Sequence, residues 1–331
     1  MLAWQVHELG EPADVLTWGE IPDPEPGPGQ VLVRVAAVAC NFPDILVCQG
    51  KYQEKPPLPF TPGLEIAGEV VAVGEGAAAK VGDRVLGTPP MGRGGYAELA
   101  VLDAESTLPW PEGMTPGQAA GMFVTYQTGI CALEHRGRLQ PGETLLVHAA
   151  AGGVGSAAVQ IGKAMGARVI GTAGGPEKCA VVKGLGADEV IDYSSEDLVA
   201  RVKEITGLAK PGRGGADVIF DPVGGDIFDA SRKVVAFEGR ILVIGFVSGR
   251  FADAPTNHVL VKNYEVTGVH WGFYRTMKPE LIPRWQQRLD NLWAAGKIDP
   301  LVGVELPLRE APEALRRLGS RGTTGKVVLV P

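Results

Sequence analysis

The sequence predicts an α/β protein in which a doubly wound parallel sheet is inserted into a β-rich domain. Strand-like alternation and glycine-rich turns fill the first third of the chain, and a strand pattern returns near its end. From Thr144 onward, short apolar runs alternate with helical stretches. Such runs are typical of parallel strands that helices cover on both faces. A chain of 331 residues is long enough for about two domains.

The β-rich part is predicted from segments in which apolar and polar residues alternate. Residues Gln30–Val38 alternate around Arg34, and Glu69–Val73 ends at Gly74. Turn residues such as Pro26–Gly29 separate segments of this kind. A side-chain period of two is the pattern of a half-buried strand and predicts a strand at Gln30–Val38, and the short, mainly apolar run Glu69–Val73, which ends at a turn glycine, is predicted to be another strand.

The parallel sheet is predicted from five apolar runs of four to six residues. These runs are Leu145–His148, Arg168–Thr172, Glu189–Asp192, Asp217–Phe220 and Arg240–Gly245. After them come a further strand, an amphipathic helix and a closing strand, at Tyr264–Val269, Pro279–Gly296 and Gly325–Val330. We therefore assign residues 125–267 to the inserted domain, and residues 1–124 with 268–331 to the β-rich domain.

Charge and cysteine usage restrict the partners and the compartment. The chain has 31 Lys and Arg residues against 38 Asp and Glu residues, a net charge of −7. An acidic surface repels phosphate backbones and anionic lipids, which argues against nucleic-acid and membrane partners. The cysteines at positions 40, 48, 131 and 179 form no Cys-x-x-Cys pair, and the first ten residues show no secretory signal. These features favour a reducing cytoplasm.

A glycine-rich turn directly follows the first predicted strand of the parallel sheet. The segment Ala149-Ala-Ala-Gly152-Gly153-Val154-Gly155 leads into Ala157–Gly166, which has a helical composition. Strand, glycine turn and helix in this order form the dinucleotide-binding fingerprint, in which helix N-terminal amides face a pyrophosphate. Gly152 is expected to allow the tight turn and Gly155 the close packing of helix on strand. We therefore predict a Rossmann domain that binds a dinucleotide, although Ala150 replaces the first glycine of the usual motif.

The end of the second strand of this sheet indicates which dinucleotide is bound. An acidic residue there would bind the ribose 2′-hydroxyl of NAD, but the chain continues Gly171-Thr-Ala-Gly174-Gly-Pro-Glu-Lys178. This leaves room for a 2′-phosphate that Lys178 could neutralise. A solvated lysine is the alternative interpretation. We expect NADP(H) as the cofactor.

Six separated motifs support a family resemblance that runs along the whole chain. They are Asn41-Phe-Pro-Asp44, the segment from Pro62 to Gly74, Val81-Gly-Asp-Arg-Val85, Gly94-Gly-Tyr-Ala-Glu98, the segment from His148 to Gly155, and Thr324-Gly-Lys-Val-Val-Leu329. In this order they resemble the medium-chain dehydrogenase/reductase superfamily and, within it, the zinc-independent quinone oxidoreductase (zeta-crystallin-like) branch. The resemblance implies a GroES-like catalytic domain and a Rossmann domain, with substrate and nicotinamide meeting in the cleft between them.

The resemblance also implies an enzyme without zinc. Zinc-dependent relatives use a cysteine and the histidine of a Gly-His-Glu motif as ligands, and these positions hold Asn41 and Leu64 here. The cysteines of a structural zinc lobe are missing as well. Cys40 is interpreted as a small buried hydrophobic residue.

The same resemblance implies the residues of the active site. Asn41 and Tyr52 would line the substrate side, and Thr125 would lie near the nicotinamide. Tyr52 could donate a proton to the reduced oxygen, or be an ordinary wall residue. The implied cofactor-binding residues are Gly152, Gly153, Val154, Gly155, Gly174, Lys178, Tyr193, Phe246, Val247, His270, Trp271 and Arg321. For Arg321 and Lys326 the alternative is a solvated charge beside the final strand, and for Trp271 it is a core role.

Without zinc, the hydride acceptor should be a conjugated electrophile that needs orientation more than polarisation. The leading prediction is an NADPH-dependent quinone reductase. An enoyl or 2-alkenal reductase, with an acyl-CoA as one substrate option, stays open because the same scaffold would serve it and because Leu46 replaces a second tyrosine of several relatives. A non-catalytic NADPH-binding protein is the third alternative. We also expect a homodimer formed through the strand at Tyr264–Val269.

Overall fold

The N-terminal part of the chain folds mainly as strands joined by glycine turns. The computed structural model describes residues 1–208 and 214–331. The strands are β1 (Leu2–Val6), β2 (Leu16–Glu20), β3 (Gln30–Ala39), β4 (Ile66–Val73), β5 (Arg84–Gly87), β6 (Leu99–Asp103) and β7 (Leu108–Pro109), with two short helices, α1 (Pro12–Val15) and α2 (Phe42–Cys48). In β3 the valines at 31, 33 and 35 are buried and Arg34 is exposed. The alternation in the sequence therefore predicted this strand and its buried face correctly.

A long helix, α3 (Pro116–Ile130), continues into a π-helical turn at Cys131–Arg136, after which strands and helices alternate. The strands are β8 (Thr144–Val147), β9 (Arg168–Ala173), β10 (Glu189–Asp192), β11 (Ala216–Asp221), β12 (Val235–Val243) and β13 (Glu265–Gly268). The helices are α4 (Gly153–Ala164), α5 (Pro176–Gly184), α6 (Leu198–Thr206), α7 (Gly225–Val234), α8 (Thr256–Lys262), α9 (Trp271–Met277) and α10 (Leu281–Ala294).

These six strands form one parallel sheet in the order β10-β9-β8-β11-β12-β13. This is the doubly wound Rossmann order, in which the chain direction across the sheet reverses between β8 and β11. Ligands of such sheets bind outside the carboxyl ends of the strands at that reversal. The predicted fold class is confirmed, and the glycine turn after β8 lies at the expected edge.

The last part of the chain completes the sheet to which β3, β4, β5, β6 and β7 belong. It consists of β14 (Val302–Pro307), α11 (Ala311–Gly319) and β15 (Lys326–Val330). β15 pairs with β14 in parallel and with β3 in antiparallel fashion, giving the strand order β14-β15-β3-β4-β5-β7, with β6 on β3. Strands from both ends of the sequence therefore share one sheet.

The chain divides into two compact units, Met1–Val124 with Pro300–Pro331, and Thr125–Asp299. The return to the first unit thus occurs at Pro300, whereas we expected it at residue 268. The reason is a set of side-chain hydrogen bonds that hold α9 and α10 in the second unit. The Trp271 indole donates to Gln127 Oε1 at 3.1 Å, and Gln127 Nε2 donates to Gln286 Oε1 at 3.1 Å.

Hydropathy adds one further observation. Within residues 1–208 and 214–331, the helices do not combine the length and the apolar composition that crossing a bilayer requires.

Candidate cofactor and substrate site

The turn after β8 leads directly into helix α4, so the backbone amides of the helix N-terminus lie at this turn. Gly152 is the N-cap of this helix with φ −83° and ψ 175°, an ordinary extended conformation. The left-handed residue of the turn is Ala149, with φ +48°. The expectation that Gly152 allows the tight turn is therefore wrong. The expectation for Gly155 is confirmed, because a Cβ there would overlap the carbonyl oxygen of Ala149 and lie 2.8 Å from the Cα of Ala150.

Gly152 has a different reason to lack a side chain. The nearest protein atom to a Cβ built on Gly152 would be the Ala149 oxygen at 3.4 Å, which is ordinary contact. Protein packing therefore leaves space beside Gly152. A helix leaves the N–H groups of its first turn without intrahelical acceptors, here those of Gly153, Val154 and Gly155. Free amides at the positive end of a helix, beside open space, fit a pyrophosphate.

His148 connects three elements around this loop. Its Nε2 lies 2.8 Å from Ser231 Oγ, and its Nδ1 lies 3.3 Å from Thr172 Oγ1. Ser231 donates its own proton to the Ile227 carbonyl at 2.8 Å, so Nε2 carries the proton of the His148 ring and Nδ1 accepts from Thr172. Burial lowers the pKa of His148. A neutral ring therefore joins β8 to β9 and α7.

The residues predicted to bind the 2′-phosphate lie after β9 and β10. The Tyr193 ring covers Gly174, since a Cβ on Gly174 would lie 2.9 Å from both Cε2 and Oη of the ring. Half of the Tyr193 side chain is exposed. Lys178 lies in the first turn of α5, four residues after Gly174. The structure therefore brings Gly174 and Tyr193 into contact, with Lys178 following closely in the chain.

Sequence reasoning missed a carboxylate at this same edge. Asp192 ends β10, where it pairs with Ala173 of β9. Its Oδ1 accepts from the N–H of Gly175 at 2.8 Å, the N–H of Ser194 at 3.0 Å and the hydroxyl of Ser194 at 2.6 Å. The hydrogen bond from the Ser194 hydroxyl, followed by those from the two amides, lowers the pKa of Asp192. The carboxylate is thus ionised, and it holds the backbone at Gly175 and Ser194 in place. The sequence signal that could have identified this carboxylate is an acidic residue at the end of the third strand of the parallel sheet.

The segment that contains Phe246 and Val247 is held against the N-terminus of α7. A Cβ on Gly224 would lie 2.9 Å from the Phe246 ring, and one on Gly225 would lie 2.9 Å from Ser248 Oγ. Arg250 Nη2 donates to Asp226 Oδ1 at 2.8 Å and to Asp229 Oδ2 at 2.5 Å. We call this double ion pair the Arg250 latch. It fixes the segment that was predicted to pass the nicotinamide.

His270 and Trp271 lie at the start of α9. Trp271 is 6% exposed, and its indole N–H bonds Gln127. The side chain of Trp271 is thus a core residue of the second unit, which agrees with the alternative considered from sequence. The His270 ring stacks on Phe273 with centroids 6.2 Å apart.

The first unit contains a buried ion pair that sequence reasoning did not foresee. Lys326 Nζ lies 2.5 Å from Glu65 Oε1, and the two side chains are 5% and 0% exposed. The same ammonium donates to Asn41 Oδ1 at 2.7 Å and to the Cys40 carbonyl at 3.0 Å. The alternative of a solvated Lys326 is therefore wrong. The sequence signal that could have identified this buried charge is a lysine directly beside the apolar residues of the final strand.

Asn41 uses its whole amide group in this cluster. Its Nδ2 donates to Glu65 Oε1 at 2.9 Å and to the Ala39 carbonyl at 3.1 Å. Both amide protons are thus committed within the protein, and Asn41 is 8% exposed. The other oxygen of Glu65 accepts the backbone N–H of Val124 at 2.8 Å.

Asp44 lies next to this cluster, in the first turn of α2. Its Oδ2 accepts from the Asn41 N–H at 2.8 Å and from the Tyr96 hydroxyl at 3.2 Å. In the described part of the chain, its Oδ1 has no hydrogen-bond partner. A small pocket beside it, lined also by Thr61, Leu64 and others, has space for about one water molecule. Burial raises the pKa of Asp44 to about 7.

Three more candidate residues are placed by the fold. Tyr52 packs against the core of the first unit, and burial, followed by the negative charge of Glu54, raises the pKa of its phenol. Thr125 is the first residue of the second unit, on α3, and is 2% exposed. Arg321 lies in the first unit, where its N–H donates to the Leu318 carbonyl at 3.2 Å.

Outside residues 209–213, no three or more His, Cys, Asp and Glu side chains are grouped to hold a metal ion. Burial raises the pKa of the Cys40 thiol to about 12.

Comparisons with known proteins agree with this architecture. The alcohol dehydrogenase GroES-like domain matches residues 27–112, and the zinc-binding dehydrogenase family matches residues 153–287. Quinone oxidoreductase-like protein 2 of Bos taurus is 40% identical over 304 residues, 91% of this chain and 85% of that protein. The structure of Escherichia coli quinone oxidoreductase complexed with NADPH is 33% identical, covers 100% of both chains and has a TM-score of 0.91. That of the Pseudomonas syringae quinone oxidoreductase is 36% identical over 100% of this chain and 99% of its own, with a TM-score of 0.91.

A GroES-like domain joined to a Rossmann sheet with a glycine-rich turn after its first strand defines an oxidoreductase of the medium-chain dehydrogenase/reductase type. Within that superfamily, the chain belongs to the quinone oxidoreductase branch.

Proposed function

We propose that this enzyme transfers a hydride from NADPH to a quinone without a metal ion. The overall reaction converts a quinone, NADPH and a proton into a hydroquinone and NADP⁺. The observation that carries this proposal is the buried cluster of Asn41, Glu65 and Lys326, because a protein ammonium group there already satisfies the oxygen atoms that a metal would need. A quinone accepts hydride with orientation alone, so it suits a site without a Lewis acid.

The dinucleotide is proposed to be NADPH, which supplies the hydride when bound. The amides at the start of α4 would bind its pyrophosphate, and Gly174, Tyr193 and Lys178 would surround its 2′-phosphate. The NADPH complex of the E. coli relative supports this choice. Asp192 argues in the opposite direction by its charge, but its Oδ1 is already used by three donors.

The proton is proposed to come from Tyr52. The phenol of a tyrosine carries its proton at neutral pH, and burial raises the pKa of Tyr52 further, so its hydroxyl is available as a hydrogen-bond and proton donor to the oxygen of the substrate. Asn41 would line the substrate site as a fixed surface, since neither of its amide protons is left for a ligand. Thr125 is proposed to contact the nicotinamide.

The absence of zinc is part of the proposal. Leu64 has no donor atom, and Lys326 places a positive charge where a cation would bind. The buried ammonium of Lys326 would repel a divalent ion placed beside the Glu65 and Asn41 oxygens that it contacts. We expect the purified enzyme to keep its activity after dialysis against a chelator.

We propose a homodimer built through β13. This strand is the last in the order of the parallel sheet, and Val266 on it is 37% exposed. Leu260 and Val261 on the preceding helix α8 are 76% and 78% exposed. An exposed strand edge beside apolar side chains is a site for pairing with a second copy.

The proposed location is the cytoplasm. The cysteines are free, which supports this location.

The test is the rate of NADPH oxidation by the purified enzyme with quinones, 2-alkenals and an enoyl-CoA. We expect turnover with quinones. Fast reduction of alkenals or enoyl-CoA with quinones inert would move the assignment to that reaction class, and binding of NADPH without turnover of any acceptor would favour a non-catalytic role.

The choice of cofactor is tested separately with Lys178→Ala. Loss of a charge-assisted hydrogen bond to the 2′-phosphate should raise KM for NADPH about 10- to 100-fold. The KM for NADH should hardly change, because NADH lacks that phosphate. Equal effects on both cofactors would contradict the role of Lys178. Lys183→Ala, on the same helix α5, is the matched control.

A further inference from the structure

We propose that Lys326 and Glu65 act as a positioning pair that holds the Asn41 amide and helix α3 in the arrangement that turnover requires. The inference deepens the proposed function and rests on it, since it concerns the candidate substrate residue Asn41. Glu65 is not among the candidates that the sequence motifs supplied, and Lys326 was considered only together with Arg321, with a solvated charge as the alternative.

The Lys326 ammonium is fully coordinated. An ammonium group has three N–H donors, and Lys326 Nζ has three acceptors, namely Glu65 Oε1 at 2.5 Å, Asn41 Oδ1 at 2.7 Å and the Cys40 carbonyl at 3.0 Å. Two of these acceptors belong to consecutive residues, Cys40 and Asn41. The side chain therefore fixes both the backbone and the amide at the start of α2.

Both oxygen atoms of the Glu65 carboxylate also accept hydrogen bonds. Oε1 accepts from Lys326 at 2.5 Å and from Asn41 Nδ2 at 2.9 Å, and Oε2 accepts from the Val124 N–H at 2.8 Å. Val124 lies well inside α3, and Thr125 follows it in the chain. One buried carboxylate therefore connects Asn41 to the helix segment that carries another candidate residue.

The pair also fixes the orientation of the Asn41 amide. Lys326 is a pure donor and requires Oδ1, whereas Glu65 is a pure acceptor and requires Nδ2. Exchanging the oxygen and nitrogen of the amide would place N–H against ammonium and oxygen against carboxylate. Two opposite charges on the same amide thus allow one orientation only.

Stability alone does not explain these charges. An apolar pair of similar volume is often as stable as a buried ion pair, whereas removing one partner leaves an uncompensated buried charge. An apolar pair could not orient an amide. The two roles therefore separate in a double variant in which both charges are removed.

The experiment compares Lys326→Met, Glu65→Leu and the double variant with the wild type. We expect each single variant to lose stability in urea unfolding and the double variant to recover most of it. The kcat of the double variant should stay about 10- to 100-fold low, because misplacing a site residue by about 1 Å has effects of this size. KM for NADPH should remain unchanged. A double variant with wild-type kcat would overturn the proposal.

Arg240 and Glu143 provide a matched control in the second unit. They form a bidentate ion pair with two contacts of 2.8 Å, and Arg240 is 8% exposed. Glu143 precedes β8, at the amino end of the strand, whereas cofactors bind at the carboxyl ends. Arg240→Met with Glu143→Leu should therefore leave kcat unchanged. If this control also lowers kcat, loss of buried charge in general explains the effect.

A second measurement does not depend on turnover. The side-chain amide of Asn41 is followed by ¹H–¹⁵N NMR and assigned by its loss in Asn41→Ala. In the Lys326→Met and Glu65→Leu double variant, we expect its signals to shift and its protons to exchange faster with solvent. Unchanged shifts and exchange would overturn the positioning role. Failure of the wild type to reduce quinones would overturn only the proposed substrate, since the NMR result stands without it.

Discussion

The carbonyl oxygen of Ala149 occupies the space that a side chain at Gly155 would need. This steric relationship predicts different results at two glycines of one loop. Gly155→Ala should lower the free energy of unfolding by about 1–3 kcal/mol, because a methyl group is forced into packed backbone. Urea unfolding measures this loss.

Gly152→Ala is the matched substitution, since the nearest protein atom to its new methyl group would be 3.4 Å away. It should leave the unfolding free energy nearly unchanged but weaken NADPH binding by at least about 10-fold, or about 1.4 kcal/mol, because the new methyl group would fill the space that we propose for the pyrophosphate. Fluorescence titration with NADPH checks this. Normal affinity in Gly152→Ala would argue that the pyrophosphate lies elsewhere.

Asp44 predicts a pH dependence of stability. Its folded-state pKa is about 7 against an ordinary value of 3.8, so between these values the folded state holds a proton that the unfolded state has lost. The unfolding free energy should therefore fall as pH rises through this window and level off above it. The charged and titratable groups that act on Asp44 include Lys326, Tyr96 and Glu65; Lys326 and the Tyr96 hydroxyl favour its ionised form, and Glu65 favours its protonated form.

Asp44→Asn removes this titration, so the fall in stability between about pH 4 and pH 7 should become smaller. Asp253→Asn, at an exposed site, is the control and should leave the pH profile unchanged. Urea unfolding across the pH range measures both. Identical pH profiles for Asp44→Asn and the wild type would show that Asp44 is ionised at neutral pH.

The Arg250 latch predicts an effect on cofactor binding. Arg250→Ala removes both ion pairs to Asp226 and Asp229 and should free the segment with Phe246 and Val247. Because these pairs are largely exposed, the loss of stability should be small. KM for NADPH should still rise about 3- to 10-fold, since the segment must be reordered on binding.

Arg316→Ala is the control for the latch. Arg316 forms a similar exposed pair with Glu313 on α11, in the other unit. It should change neither KM nor kcat. A wild-type KM for NADPH in Arg250→Ala would mean that the segment keeps its place without the latch.

The edge of β13 predicts the oligomeric state. Val266→Lys places a charge on the exposed strand edge and should convert a dimer into monomers, which sedimentation velocity would detect. Val81→Lys makes the same change at a residue that is 67% exposed in the first unit and should leave the dimer intact. A wild type that sediments as a monomer at micromolar concentration would contradict this interface.

Local patterns predicted the strands well but did not reveal long-range charge pairing. The alternation in β3 and the apolar runs of β8 to β11 were sufficient, since burial of a strand depends on its own side chains. Lys326 was missed because its partner, Glu65, lies 261 residues away and no local period connects them. The return of the chain at Pro300 was missed for the same reason, because only Gln127 and its partners reveal where α9 and α10 pack.

The shared sheet also has a consequence for the order of synthesis. Lys326 follows Glu65 by 261 residues, a delay of roughly 10–50 s at ordinary elongation rates. In that interval the contiguous unit Thr125–Asp299 is made in full, while β3 still lacks β15 and Glu65 has no cation beside it. On the ribosome, the Rossmann domain is therefore synthesised completely while the sheet of the first unit is still incomplete. The N-terminal segment Met1–Val124 is then the part of the nascent chain that is most accessible to chaperones and most prone to misassembly.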